Sequence, residues 1–292
     1  MVATTDTMVE EIDFRLGWPG FDFRTLGRRL ISINLSDLAG MGAEPRYALV
    51  SLCLRGGLPL SDVRRLYRGI AEQARRFGVT IAGGDLSGTL GSVTLGATLV
   101  GRLPSARAVL RRQGARPGWM IAVTGSLGGA AAGLRLLERG QPPSSSIQRA
   151  WVASQIDPQP RVAAGRALVQ AGITVGGDIS DGLAREVERL VESSRPRASS
   201  RSGGLGASID IDTLPLARGI DRTADWRLAS DSEDFELICA GPAPRINAAQ
   251  TALETMKLPL TVIGRIEAEP GIRWRLGGRL ETLDGSGYEH FR

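Results

Sequence analysis

The stretch Val175-Gly176-Gly177-Asp178-Ile179-Ser180-Asp181-Gly182-Leu183 restricts the fold more than any other in this chain of 292 residues. The apolar residues 173–175 read as a short buried strand, the glycines let the chain turn, and Leu183, Val187, Leu190 and Val191 recur at helical spacing. Two carboxylates and a hydroxyl therefore sit at a strand-to-helix corner. Helix capping by Ser180 or Asp181 would use one acid and contribute roughly 1 kcal/mol. It leaves Asp178 unexplained, because two nearby like charges repel unless a cation or a strong donor lies between them.

Similar signals recur along the chain. Residues 79–82 read as a strand running into Gly83-Gly84-Asp85, and Thr4-Thr5-Asp6-Thr7 looks like the tail of a strand carrying hydroxyls and a carboxylate. A helical pattern over 23–39 puts Leu26, Leu30, Ile33 and Asp37 on one face, where an unpaired carboxylate would cost several kcal/mol. Ser61 is expected to cap a helix carrying Val63, Leu66, Ile70, Ala74 and Phe77 on one face. Residues 119–124 form a strand candidate followed by Gly125-Ser126-Leu127-Gly128-Gly129 and a helix. That order either cradles phosphate on backbone amides or allows close helix packing. Asp231-Ser232-Glu233-Asp234-Phe235-Glu236 sets four acids directly before the apolar run 237–240. Residues 194–206, rich in Ser, Arg and Gly, are expected to form a surface loop.

Residue scarcity narrows the chemistry. The only histidine is His290, in the C-terminal tail, so a multi-histidine metal site is impossible. The only lysine, Lys257, follows no Gly-rich loop, which removes a Walker-type phosphate site. Cys53 and Cys239 lie in apolar runs as small core residues. The net charge of +5 comes almost wholly from scattered arginines such as Arg28-Arg29, Arg64-Arg65 and Arg75-Arg76, placed mostly on the polar sides of helical patterns. Nucleic-acid binding is therefore not expected. Neither a membrane span nor a signal peptide is expected, and the reading is a cytoplasmic protein.

Strands and helices mix throughout, which predicts two α/β or α+β domains, residues 1–104 and 105–292, closing over a cleft. Asp6, Asp37, Asp85, Asp178 and Asp181 could meet in a shared site. Five carboxylates without histidine favour hard Mg²⁺ ions, and with Gly-rich turns they point to phosphoryl transfer from a nucleoside triphosphate.

The ordered motifs Thr4-Thr5-Asp6-Thr7, Asn34-Leu35-Ser36-Asp37-Leu38-Ala39-Gly40-Met41-Gly42-Ala43, Gly83-Gly84-Asp85, Asp178-Ile179-Ser180-Asp181-Gly182-Leu183 and Glu233-Asp234-Phe235-Glu236-Leu237 resemble thiamine-monophosphate kinases. That family belongs to the aminoimidazole ribonucleotide synthetase (PurM-like) superfamily, with selenophosphate synthetase and HypE. The resemblance runs to the Gly287-Tyr288-Glu289-His290-Phe291 tail. It implies a PurM-like fold with a dimer-forming N-terminal sheet, a C-terminal α/β domain and a homodimer. It also implies ATP- and Mg²⁺-dependent phosphorylation of thiamine monophosphate to thiamine diphosphate. By resemblance Thr5, Asp6, Asp37, Asp85, Asp178 and Asp181 hold Mg²⁺, and Asp85, Asp178 and Asp181 are the catalytic set. Gly84, Arg112 and Ser180 contact nucleotide, and Asp13, Glu233 and Tyr288 face the thiamine moiety. Three departures accompany it. The family's N-terminal Gly-Asp-Asp motif and its first strand have no counterpart here, Asp13 replaces a His, and Leu86 replaces a Thr. The alternatives are another ATP-dependent enzyme of the superfamily acting on a different small molecule, or a non-catalytic nucleotide-binding paralogue.

Overall fold

The computed structural model describes residues 1–105, 108–195 and 204–283. In the first half, β1 (Val2–Val9), α1 (Phe23–Gly40), β2 (Glu44–Arg55), α2 (Leu60–Arg76), β3 (Thr80–Thr89) and β4 (Thr94–Arg102) build a sheet of order β1-β4-β2-β3. Its β2–β3 pair is parallel and its other pairs are antiparallel. Period-2 alternation on β2 buries Ala48, Val50 and Leu52 beneath the helices and turns Leu49 and Ser51 outward. Asp22 caps α1 by accepting from the Thr25 amide. Where α1 crosses α2, a Cβ on Gly27 would lie 2.2 Å from the Leu66 carbonyl oxygen, so only glycine permits that contact.

The second half contains β5 (Met120–Thr124), α3 (Gly129–Glu138), α4 (Ser146–Ile156), α5 (Val162–Gln170), β6 (Val175–Asp178), α6 (Leu183–Ser193) and β7 (Gly206–Asp210). Then follow β8 (Leu237–Gly241), α7 (Ala243–Glu254), β9 (Leu260–Glu267), β10 (Gly271–Leu276) and β11 (Arg279–Glu281). They form a seven-stranded sheet of order β11-β10-β7-β9-β5-β8-β6, antiparallel except for β7–β10. The first sheet lies wholly before residue 104 and the second wholly after it. One apolar core nevertheless runs from Leu30, Leu35 and Leu38 of α1 through Leu168 of α5 to Leu237 and Cys239 of β8. No helix among the described residues is long and apolar enough to cross a membrane.

Several local expectations change. Ser61 lies inside α2, whose N-cap is Pro59 with no side-chain hydrogen bond. Gly83, Gly84 and Asp85 continue β3 through a bulge opposite Ala48 and Leu49 instead of ending it. Strand β6 spans Val175–Asp178, so its glycines and Asp178 are paired residues, not the turn. Of the 194–206 loop, residues 196–203 fall outside the described residues, and Gly206 begins β7. Helix α4 adds an element between α3 and α5; its N-cap is Ser145, whose hydroxyl accepts from the Gln148 amide.

Candidate active site

The site forms where the inner face of the first sheet, the core-facing side of α1 and the C-terminal end of β6 meet. Alternation on β1 points Thr4 and Asp6 toward α1, while Thr5 and Thr7 face away. Buried Asn34 ties the two elements together: its Nδ2 donates to the Leu30 carbonyl at 3.0 Å, and its Oδ1 accepts from the Asp6 amide at 3.1 Å. One turn on, Asp37 accepts from the Thr4 hydroxyl and shares a hydrogen bond with Asp6. Ser36 donates to Asp178 Oδ2 at 2.9 Å, and the α1 terminus abuts β6 so closely that a Cβ on Gly40 would lie 2.7 Å from the Asp178 amide.

Three carboxylates thus converge with little solvent. Burial, then repulsion from Asp178, raises Asp6 to about 6. Burial and Asp6 raise Asp37 to about 6, and burial, Asp37 and Glu186 raise Asp178 to about 7. Arg112 relieves some of this charge at 3.7 Å from Asp178 while pairing with fully buried Glu186 at 3.0 Å. Arg189 spans Glu186 and Asp181, the latter at 2.6 Å. Capping does not explain the corner: Gly182 stands at the α6 N-cap with φ of 95° and no side-chain bond. Asp181 therefore remains in the site.

Two cavities of about 250 Å³ each adjoin across Asp37 and Asp178. One is lined by Thr4, Arg111, Arg112, Gly176 and Gly177. The other is lined by Asp6, Asp13, Arg29, Ser180, Asp181, Glu233 and Phe235. Asp13 lines the second cavity and accepts from the Val9 amide at 2.7 Å. Phe235, between Asp234 and Glu236, has a left-handed backbone with φ of 52°, an uncommon state for a non-glycine residue. A larger hollow of about 630 Å³ beside β7, β9 and β10 holds Asp210 and Asp212, but those carboxylates accept from the amides of Asp212 and Gly277.

The structure divides the expected carboxylate set. Thr5, Gly84 and Asp85 line a separate hollow on the outer face of the first sheet with Ser51 and Thr98, and Asp85 there accepts from Ser87 at 2.9 Å. Asp6, Asp37, Asp178 and Asp181 lie together on the inner side. Tyr288 falls outside the described residues. Arg29, grouped by sequence with surface arginines, is 4% exposed inside the second cavity. Thr4, not Thr5, supplies the hydroxyl to Asp37, as strict alternation from Asp6 would have indicated.

The amides of the Gly-rich turn after β5 are occupied by protein side chains. Asp234 accepts from the amides of Gly128 (2.6 Å) and Ala130 (3.0 Å), and Ser232 accepts from Ala131, so the acid run fills the α3 N-terminus itself. Burial pushes Asp234 up to about 6 against those amides. Glu236 is taken by Arg161 at 2.8 Å and by the Thr124 hydroxyl at 2.6 Å. Asp234→Ala is expected to cost about 1–3 kcal/mol in urea unfolding by orphaning buried amides. Steady-state KM values should change less than about threefold; a large rise in KM with stability intact would contradict the capping role.

Residues 1–103 match the family model for AIR synthase related proteins, N-terminal domain. That family and the two-sheet fold around a carboxylate cleft define the class. A thiamine-monophosphate kinase of Salmonella typhimurium is 32% identical over 302 residues, covering all of this chain and 86% of the relative. A thiamine-monophosphate kinase crystal structure from Stenotrophomonas maltophilia superposes with a TM-score of 0.83 at 27% identity, covering 96% of this chain and 86% of that one. AaThiL complexed with AMPPCP and TMP gives a TM-score of 0.83 at 26% identity, covering 99% and 86%. The chain belongs to the thiamine-monophosphate kinase family.

Proposed function

We propose that this protein transfers the γ-phosphoryl group of ATP to thiamine monophosphate, giving thiamine diphosphate and ADP. The observation that carries the reading is the pair of cavities joined at Asp37 and Asp178: one offers Arg112 and two glycines to a polyanion, the other offers mainly carboxylates to a cation. Donor phosphates fit the first and the cationic thiamine body fits the second. The acceptor phosphate has its second pKa at about 6 and attacks already largely ionised, so no strong general base is required. The acceptor oxygen forms the new P–O bond as the bond to the ADP oxygen breaks.

The carboxylates fit Mg²⁺. Asp6, Asp37 and Asp178 are hard oxygen donors whose raised pKa values come from burial first and from their mutual repulsion second. Among the described residues no group of three or more His, Cys, Asp or Glu is arranged to hold a metal ion by itself, so waters and phosphate oxygens would have to complete the shell. Asp6, Asp37, Asp178 and Asp181 would hold it, and the bound ion would neutralise charge developing on the transferred phosphoryl group.

The outer face of the first sheet, with Tyr47 48% and Leu49 49% exposed, is the proposed homodimer contact. Pairing there would set Thr5, Gly84 and Asp85 at the subunit junction. The proposed domain boundary is residue 104 and the proposed location cytoplasmic. The test is acceptor competition: with ATP and Mg²⁺, kcat/KM should be highest for thiamine monophosphate among thiamine, other phosphate monoesters and carboxylates. A better acceptor of another class would overturn the substrate assignment.

A further inference from the structure

Arg28 and Arg29 are adjacent in α1, and both grip the end of α4. Arg28 binds Asp157 through Nε and Nη2 at 2.9–3.1 Å. Arg29 donates Nη1 to the Gln155 carbonyl, one of the last-turn carbonyls that have no partner within their own helix. Its Nη2 donates to Glu233 Oε2 at 2.9 Å, and its guanidinium carbon lies 5.7 Å from the centre of the Phe235 ring. Buried Gln155 donates its Nε2 to the same Glu233 oxygen at 3.3 Å. Two donors therefore converge on Oε2, and Oε1 receives none among the described residues. Glu233 lines the second cavity with Asp13 and Phe235, and Arg29 is the cation on that wall.

We propose that Arg29, assisted by Gln155, is the positioning residue of the acceptor subsite. It fixes Glu233 by one oxygen so that Oε1 accepts an N–H hydrogen bond from a cationic heteroaromatic acceptor. This rests on the kinase reading of the cavity. Each Arg29 Nη group already donates to a protein oxygen, so the part assigned to Arg29 is to hold Glu233 and not to bind the acceptor's phosphate. A pre-oriented carboxylate accepts without losing rotamer entropy on binding, so the effect belongs to acceptor affinity and not to ATP affinity.

The test compares wild type with Arg29→Met, Arg29→Lys, Gln155→Leu, Glu233→Gln and the Arg29→Met/Glu233→Gln pair. Steady-state KM is read for each substrate, and thiamine binding without ATP is read by calorimetry. Arg29→Met should raise the acceptor KM at least tenfold and weaken thiamine binding in parallel, with the ATP KM changed less than about threefold. Lys at 29 should recover part of the loss, and the double variant should be no worse than its worse parent. Gln155→Leu should move the same quantities in the same direction by less, which keeps the test decisive should Arg29→Met not fold. Equal rises in both KM values, or losses that multiply in the double variant, would overturn the role. Wild type that binds thiamine but yields no thiamine diphosphate would sink the kinase reading alone, and the calorimetric comparison would still judge Arg29.

Discussion

Asp178→Asn is expected to lower turnover by at least about 100-fold and, without Mg²⁺ at pH 8, to leave the protein as stable as wild type or more so. Asp178 is 2% exposed and lies beside Asp37 and Glu186, so its ionised form is resisted in the folded state. Its folded pKa of about 7 exceeds the ordinary 3.8. The sign follows: protonated Asp178 contributes stability fully present below pH 4, and that stability is lost as pH rises through 7. Asp6 and Asp37, each raised to about 6, lose theirs slightly earlier. A shift of this size corresponds to a few kcal/mol, on the order of 4 at most. Asn keeps an oxygen for the Ser36 hydroxyl but carries no charge. Metal-free wild type should therefore lose Tm between pH 5 and pH 8 by more than the variant does. Adding Mg²⁺ should raise the wild-type Tm more than the variant's. A fully active Asp178→Asn protein, or one markedly less stable than wild type at pH 8, would contradict this account.

The largest stability loss is expected from Gly182→Ala. Gly182 has φ of 95°, and a Cβ there would lie 2.0 Å from the Ser230 carbonyl oxygen and 2.7 Å from Asp231 Cα. Neither neighbour is a flexible side-chain tip. The Ser230 carbonyl also accepts from the Ala184 amide, so moving it breaks a second contact of the same corner. The positive-φ extended backbone of Gly182 alone costs a non-glycine residue about 1–3 kcal/mol, and the backbone clash should bring the total to about 3 kcal/mol or more. Gly57→Ala is the matched control, because Gly57 has φ of 85° and nothing within 4 Å. Denaturant unfolding should separate the two by about 2 kcal/mol; equal losses would show that the corner is slack.

The parts of the site legible in sequence were those whose signal is local. Asp37 betrayed itself by standing on an apolar helical face, and Asp178 with Asp181 by being more acid than one helix cap can use. What sequence hid depends on pairing. Thr5 and Asp85 line a hollow on the outer face because strand alternation and the bulge in β3 set them there. The glycines after β5 resemble a phosphate loop until Asp234 arrives from a distant segment to occupy their amides. Arg29 is indistinguishable from a surface arginine until α4 packs over it, and α4 carries little helical signal because only Val152 and Ile156 flank the polar Gln155 on its buried face. The order of strands in both sheets follows from long-range contacts that no local pattern encodes.

The most direct measurement of the central claim is product formation by the purified protein. The protein is incubated with ATP and thiamine monophosphate, with and without Mg²⁺, and thiamine diphosphate and ADP are separated and quantified. The account predicts Mg²⁺-dependent thiamine diphosphate in a one-to-one ratio with ADP, falling by at least about 100-fold in Asp178→Asn. ADP release without thiamine diphosphate, or product that forms equally well in Asp178→Asn, would contradict it.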